Sequence, residues 1–325
     1  MIQRMRIRSR RSLRVFFATD IHGSETCFRK FLNCGDYYDA DVLVLGGDMT
    51  GKALVPIVGN GRGRYSSTLQ DQPHAFGEEE LPRYERMIRE RGLYPFRTTG
   101  EELAELEADP TRLDMLFHRA ILDAVEQWVA LADERLGGSA VRAFVCPGND
   151  DSFEIDDVIK TSKRLELGEG QAIDLADGFQ LLSTGWSNRT PWNTDREEDE
   201  EDMARRIEAM LASATADPER LIFNFHCPPY GTALDEAPQL TEDLGVVGGG
   251  RVLAHVGSTA VREAIQRVQP ILGLHGHIHE ARGTARLGRT ISINPGSSYE
   301  TGDLQGVVVE LDGQGKVKRY QLTIG

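Results

Sequence analysis

Leu13-Arg14-Val15-Phe16-Phe17-Ala18 is an apolar run of strand length that stops just short of Asp20 and His22. The same pattern recurs along the chain. Val42-Leu43-Val44-Leu45 leads into Gly47-Asp48, and Phe144-Val145-Cys146 leads into Gly148-Asn149. Leu221-Ile222-Phe223-Asn224-Phe225 ends at His226, and Ile271-Leu272-Gly273-Leu274 ends at Gly276-His277 followed by His279. In open α/β sheets ligands bind outside the carboxyl ends of the strands, so five such ends can converge on one place. Asp-x-His or His-x-His alone is a weak signal that fits an ordinary turn or solvated loop. Five of them in order, each closing an apolar run, are much harder to read that way.

The order D-x-H, G-D, G-N, H, G-H-x-H resembles the calcineurin-like metallophosphoesterase superfamily over most of the chain, and among bacterial members the Icc-related phosphoesterases. The loops Gly185-Trp186-Ser187-Asn188-Arg189-Thr190-Pro191 and His226-Cys227-Pro228-Pro229-Tyr230-Gly231-Thr232 add to the likeness. One position departs from the pattern: Asp150 stands where the superfamily has histidine after Gly-Asn, and Asp151 follows it. The resemblance implies a layered αββα sandwich of two mixed sheets with a dinuclear metal site at the strand carboxyl ends. One metal would be held by Asp20, His22, Asp48 and His279, the other by Asp48, Asn149, His226 and His277. Asp48, Asn149, Asp150 and His277 are then the expected catalytic residues.

The ligand chemistry supports two divalent cations independently. A thiolate-free set of imidazole, carboxylate and amide donors favours Mn, Fe, Co, Zn or Ni over a structural tetrathiolate zinc, and Mn is the preferred expectation. Two cations about 3.5–4 Å apart need a bridging anion, and the carboxylate of Asp48 on a tight glycine turn suits that role. A bridging water of lowered pKa could then attack phosphorus in line, which makes phosphate esters, with diesters preferred, the expected substrates. A metal-dependent nuclease and a non-catalytic scaffold on the same fold are the competing readings.

Composition narrows these. With 325 residues, 40% hydrophobic and 27% charged, the chain is long enough for a large core and ordinary for a globular protein. Its net charge of −14 argues against a grip on long nucleic acids, which depends on Lys and Arg neutralising phosphates, and points to a small phosphate-ester substrate. Cys27, Cys34, Cys146 and Cys227 form no C-x-x-C pair, which fits a reducing, cytoplasmic setting. Cys227 beside His226 reads as a small buried hydrophobe. Arg4, Arg6, Arg8, Arg10 and Arg11 make residues 1–11 a basic tail, and the apolar run after it is too short for a cleavable segment. No stretch approaches the roughly 18 apolar residues of a membrane span. The pattern gives no oligomeric state.

A single domain is expected over 12–325, with an insertion at about 52–138 between Asp48 and Asn149. Within it, Val55–Val58 and Arg64–Leu69 flank Gly59-Asn60-Gly61-Arg62-Gly63 as a hairpin, and Glu78–Gly92 and Pro110–Leu136 read as helices. Leu113, Leu116, Phe117, Ala120, Ile121, Ala124, Val125, Trp128 and Leu131 give the longer helix a broad core-facing stripe. The hairpin leaves next to Asp48 and could form a substrate-selecting rim, with Arg64 on it; Trp186, Asn188, Arg189 and Trp192 could form a second. Asn188, Arg189 and Arg64 are accordingly the substrate-binding candidates. Ser24 and Ser258 are expected helix caps. Glu197–Asp202 reads as the acidic first turn of a helix running through Met203 and Ile207. His74 reads as part of a polar loop, while His118 and His255 read as solvated or packing residues. Thr290–Asn294, Gly306–Leu311 and Lys316–Thr323 are expected as an antiparallel finish to a second sheet.

Overall fold

Period-two alternation along the strands builds a four-layered sandwich, seen in a computed structural model that describes residues 12–241 and 243–325. The basic tail, 1–11, lies outside the described residues. Along Ser12–Ala18 the side chains of Leu13, Val15 and Phe17 face one core, while Phe16 and Ala18 face another. Successive Cβ atoms point to opposite faces of a sheet, so this one strand belongs to two hydrophobic layers. The strand Leu221–Phe225 does the same, sending Ile222 inward and Phe223 and Phe225 outward.

The first sheet runs Val317–Ile324, Gln305–Asp312, Ser12–Ala18, Val42–Leu45, Arg142–Val145, Leu165–Leu167. The last four of these are mutually parallel, and Gln305–Asp312 pairs antiparallel with Ser12–Ala18 from Ser12↔Asp312 to Ala18↔Gly306. The second runs Gly283–Leu287, Thr290–Asn294, Leu272–Leu274, Leu221–Phe225, Gln180–Thr184, Ala172–Asp174, parallel at its centre and antiparallel at both edges. Between the sheets lie Val15, Phe17, Val44, Phe144, Leu181, Ile222, Leu274 and Val309, all buried. Helices Glu25–Tyr37 and Pro110–Leu136 cover the first sheet, and Glu200–Ser213 and Thr259–Val268 cover the second. This is the αββα sandwich of two mixed sheets.

The caps act as expected: Ser24 Oγ accepts from Cys27 N, and Ser258 Oγ accepts from Val261 N at 3.1 Å. Helix Pro110–Leu136 buries the C-terminal part of its stripe, with Trp128 stacked on Phe28 at 4.4 Å, whereas Leu113 near its start is exposed.

Several expectations are corrected. Gln305–Asp312 and Val317–Ile324 form an antiparallel hairpin but return to the first sheet, and only Thr290–Asn294 belongs to the second. Between Asp48 and Asn149 the hairpin Leu54–Gly59/Arg64–Leu69 is joined by Gln72–Gly77 and Tyr94–Thr99 into a four-stranded sheet, with its own core of Val55, Ile57, Leu69, Phe76, Leu81, Tyr84 and Ile88. His74 therefore lies on a strand, its ring 5.1 Å from that of Tyr84. The helix expected over Glu78–Gly92 is Leu81–Glu90, preceded by a 3-10 turn, and another helix, Gly100–Ala108, follows the sheet. Glu197 and Glu198 form a short strand against Ser187–Asn188, and the helix begins only at Glu200. No helix among the described residues is long and apolar enough to cross a membrane.

Candidate metal centre

Three parallel strands of the first sheet and two of the second end on the same side, and their loops are hydrogen-bonded together. Asp20 N donates to Gly47 O at 2.9 Å, His22 N to Asp48 O at 3.0 Å, and Gly276 N to His226 O at 2.9 Å. Asp20 joins the two sheets: its carboxylate accepts from His277 N at 3.1 Å, and its carbonyl accepts from Ser297 Oγ at 2.6 Å. Asp20, His22, Asp48 and His277 all have positive φ, at 53°, 36°, 48° and 68°. Such backbone costs about 1–3 kcal/mol per residue and persists where the surroundings over-determine it, commonly at functional sites. The glycines before the polar residues are required by crowding. A Cβ on Gly148 would lie 2.1 Å from Asp48 Oδ1, and one on Gly276 would lie 2.4 Å from Asp20 Oδ2.

The structure brings Asp20, His22, Asp48, Asn149, His226, His277 and His279 into one cluster. Asp20, His22 and His279 form one set able to hold a cation, and Asp48, His226 and His277 another, with the atoms of each set within 4.8 Å of one another. His22 Nε2 lies 2.9 Å from His279 Nε2, and His279 Nε2 is 3.6 Å from Asp20 Oδ1. Asp48 lies between the sets, with Oδ2 3.7 Å from His22 Nε2 and Oδ1 3.4 Å from His226 Nε2. Asn149 Oδ1 is 3.1 Å from His226 Nε2, while its Nδ2 donates to Thr194 Oγ1 at 2.9 Å. That second bond turns the amide oxygen toward the cluster. His226 Nδ1 is 3.2 Å from Gly46 O, which leaves Nε2 facing inward.

The electrostatics are those of a cation site. Burial drives the His22 imidazole down to about 3, and burial with the neighbouring His226 drives His277 to about 4. Burial also opposes charge on His226, but Asp48 and Asp20 outweigh it and raise this imidazole to about 9. Burial pushes the Asp20 carboxyl up, yet contact with His279 and His226 holds it at about 2. Two buried carboxylates facing four imidazoles must be balanced by cations, whether protons on His226 and His279 or metal ions, because an unpaired buried charge is very costly. His22 Nδ1 is buried with no hydrogen-bond partner among the described residues, and lies 4.0 Å from Asp150 Oδ2. The converging nitrogens, the carboxylate between them and this buried Nδ1 fit a pair of divalent cations.

Asp150 borders this cluster. Its backbone N donates to Asp48 Oδ1 at 3.1 Å, its Oδ1 accepts from Asn149 Nδ2 at 3.1 Å, and its Oδ2 is 2.9 Å from Lys52 Nζ. Burial and Asp48 raise its carboxyl to about 6 against the pull of Lys52.

Sequence reasoning missed several residues that shape the site. Asp151 is fully buried and accepts from Met49 N, Thr50 N, Thr50 Oγ1 and Gly148 N at 2.6–2.9 Å, locking the Asp48 loop to the Asn149 loop. Arg196, 1% exposed, donates to the carbonyls of Asp151 and Ser152 and pairs with Asp156 at 2.7 Å. Tyr299 tilts over His22 with ring centroids 4.8 Å apart. His275, one residue before the Gly-His-x-His motif, is buried and bonded to Phe225 O and Ser292 Oγ, a packing role. The consecutive carboxylates Asp150-Asp151 were a usable signal for Asp151; the others depend on contacts between distant segments.

The substrate-binding candidates are placed differently. Asn188 Nδ2 donates to Val256 O at 3.2 Å, and its Oδ1 accepts from Cys227 Sγ at 2.9 Å, which binds it to the loop after His226. Arg189 is half exposed and paired with Asp199 at 3.0 Å. Arg64 lies on the exposed end of the hairpin, its backbone N donating to Asn60 Oδ1. The segment between Asp48 and Asn149 also closes on the cluster at Gly92, where a Cβ would lie 2.0 Å from His22 O and 3.1 Å from Tyr299 Cδ2. Trp186 is packed under Arg206, whose guanidinium carbon is 3.9 Å from the ring centroid, while Trp192 is 63% exposed.

The two mixed sheets with this cluster at their strand ends give the layered arrangement that the sequence resemblance implies, and two solved structures share the fold. A solved crystal structure aligns at TM-score 0.54 and 18% identity, over 96% of this chain and 98% of its own. TT1561 of Thermus thermophilus aligns at TM-score 0.50 and 12% identity, over the same shares of both chains. In sequence, the uncharacterized protein MJ1162 of Methanocaldococcus jannaschii is 27% identical over 194 residues, which is 59% of this chain and 78% of that protein. No family model matches the chain.

Proposed function

We propose that this chain is a metal-dependent phosphoric ester hydrolase that acts on small phosphate esters and prefers diesters. The observation carrying the proposal is the Asp48 carboxylate, one oxygen turned to the His22 side and the other to the His226 side. Asp20, His22 and His279 would hold one divalent cation and Asn149, His226 and His277 the other, with Asp48 between them. When bound, such a pair supplies Lewis acidity and an activated water for in-line attack on phosphorus; Mn is preferred, with Fe, Zn, Ni or Co as alternatives.

The chain's own residues set the rest. Thr194 orients the Asn149 amide, the Gly46 carbonyl orients His226, and Asp151 fixes the spacing of the Asp48 and Asn149 loops. Lys52 Nζ lies 2.9 Å from Asp150 Oδ2 and favours the carboxylate over the acid, so Asp150 would be a poor proton donor to a departing alkoxide. Substrates whose alcohol leaves without protonation are therefore favoured. The test is a panel of aryl and alkyl phosphomonoesters and diesters, assayed on protein reconstituted separately with Mn, Zn, Fe and Ni. Aryl diesters should be hydrolysed fastest, with a steep dependence on leaving-group pKa. A flat dependence with chemistry shown to be rate-limiting would refute the argument from Asp150, and no hydrolysis with any metal would refute the enzyme.

A further inference from the structure

Exposure marks one open side of the cluster. Asp20, His22 and His226 are fully buried, whereas the His279 side chain is 27% exposed, Asp150 21% and Lys52 48%. Tyr299, half-buried, leans over both His22 and His279 and feels the charge of Lys52. These four residues border the exposed side of the cluster, and Lys52 is the cation among them. Its ammonium carries three donors. One faces Asp150 Oδ2 at 2.9 Å, and the other two have no partner among the described residues.

Asp150 is itself fixed at three points, through Asn149 Nδ2, Asp48 Oδ1 and Lys52, so the flexible four-carbon stem of Lys52 is anchored one residue away from the cluster. With Asp20 and Asp48 engaged by the cations of the proposed site, Asp150 is the carboxylate left facing an incoming anion, on a chain of net charge −14. An ammonium, a compact point charge, offsets that carboxylate and offers hydrogen bonds to an oxygen of the incoming group.

We propose that Lys52 is a substrate-contacting residue whose ammonium binds a non-bridging phosphoryl oxygen at the mouth of the cluster, and that Asp150 is the positioning residue that holds it there. This rests on the phosphoesterase reading and adds to it the residue that recruits the phosphoryl group.

The test measures binding rather than turnover. Inorganic phosphate is titrated calorimetrically into the Mn-reconstituted full chain, and metal content is measured on the same samples. Lys52→Met should bind phosphate about 10- to 100-fold more weakly than wild type with unchanged metal content, the loss of one charge-assisted contact. Lys52→Arg should recover most of the affinity, and Asp150→Asn should fall between. Phosphate affinity of Lys52→Met within about twofold of wild type, loss of metal together with phosphate, or no phosphate binding by the wild type would each overturn the proposal. The two readings fail separately. Wild-type turnover of esters with Lys52→Met unimpaired in phosphate binding removes only the role of Lys52, whereas Lys52-dependent phosphate binding without hydrolysis of any ester removes only the enzyme.

Discussion

Replacing Asp151 by alanine should both destabilise the protein and loosen its grip on metal. The carboxylate is fully buried and accepts three backbone N–H groups and one hydroxyl, from Met49, Thr50 and Gly148. Hydrogen bonds to a charged acceptor contribute about 1.5–3 kcal/mol each, and a buried donor left unmet costs about 1–3 kcal/mol. These bonds share one acceptor and are not additive. Removing the carboxylate also removes its own burial cost and its repulsion from Asp48, which together raise its pKa despite the four donors. A net loss of about 3–5 kcal/mol follows from the four buried donors left unmet, less that burial cost. In a domain of this size each kcal/mol lowers Tm by roughly 2 °C, so a drop of about 6–10 °C is expected. Because the same bonds hold the Asp48 loop to the Gly148 loop, metal affinity should fall about 10- to 100-fold, as it does when outer hydrogen bonds to ligands are cut. Urea unfolding of the metal-free protein isolates the structural part, and Mn titration measures the other. A variant within about 1 kcal/mol of wild type, with unchanged Mn affinity, would refute the role given to Asp151.

Glu310 supplies a pH prediction. Hydrogen bonds from Lys318 at 2.8 Å and Arg319 at 2.7 Å lower its carboxyl from an ordinary 4.5 to about 2. The difference corresponds to roughly 3 kcal/mol, reduced by screening to about 1–2 kcal/mol because both cations are more than half exposed. This stability is present above pH 4.5 and is lost as the pH falls toward 2, so the wild-type advantage over Glu310→Gln should shrink across that window in urea unfolding. An advantage that grows on acidification would contradict the assignment. Chelation should lower Tm, since a ligand at about 100 times its Kd contributes about 2.7 kcal/mol to the folded state. A Tm indifferent to EDTA and to added Mn would count against a metal centre.

The core sandwich was legible in sequence because its strands are short apolar runs, each stopping at a glycine or a polar residue. Physical crowding explains those glycines: Gly148 and Gly276 pass so close to Asp48 and Asp20 that no side chain fits. What escaped the reading is non-local. Gln72–Gly77 and Tyr94–Thr99 each contain a proline and occupy the two edges of a small sheet, so neither alternates cleanly. The C-terminal hairpin was readable as a hairpin, but only its pairing with Ser12–Ala18 decides which sheet receives it. Lys52 and Asp151 look like ordinary surface charges until folding brings Lys52 to Asp150 and Asp151 to Met49 and Thr50, about a hundred residues away.

The most direct measurement is the number of metal ions per chain in wild type and in Asp48→Asn, read by mass spectrometry on Mn-reconstituted protein alongside hydrolysis of an aryl phosphodiester. With Asp48 between the two donor sets, wild type should hold two ions and turn over, while Asp48→Asn should hold no more than one and lose activity. Two tightly held ions with near-normal turnover in Asp48→Asn, or fewer than two in an active wild type, would contradict the dinuclear account.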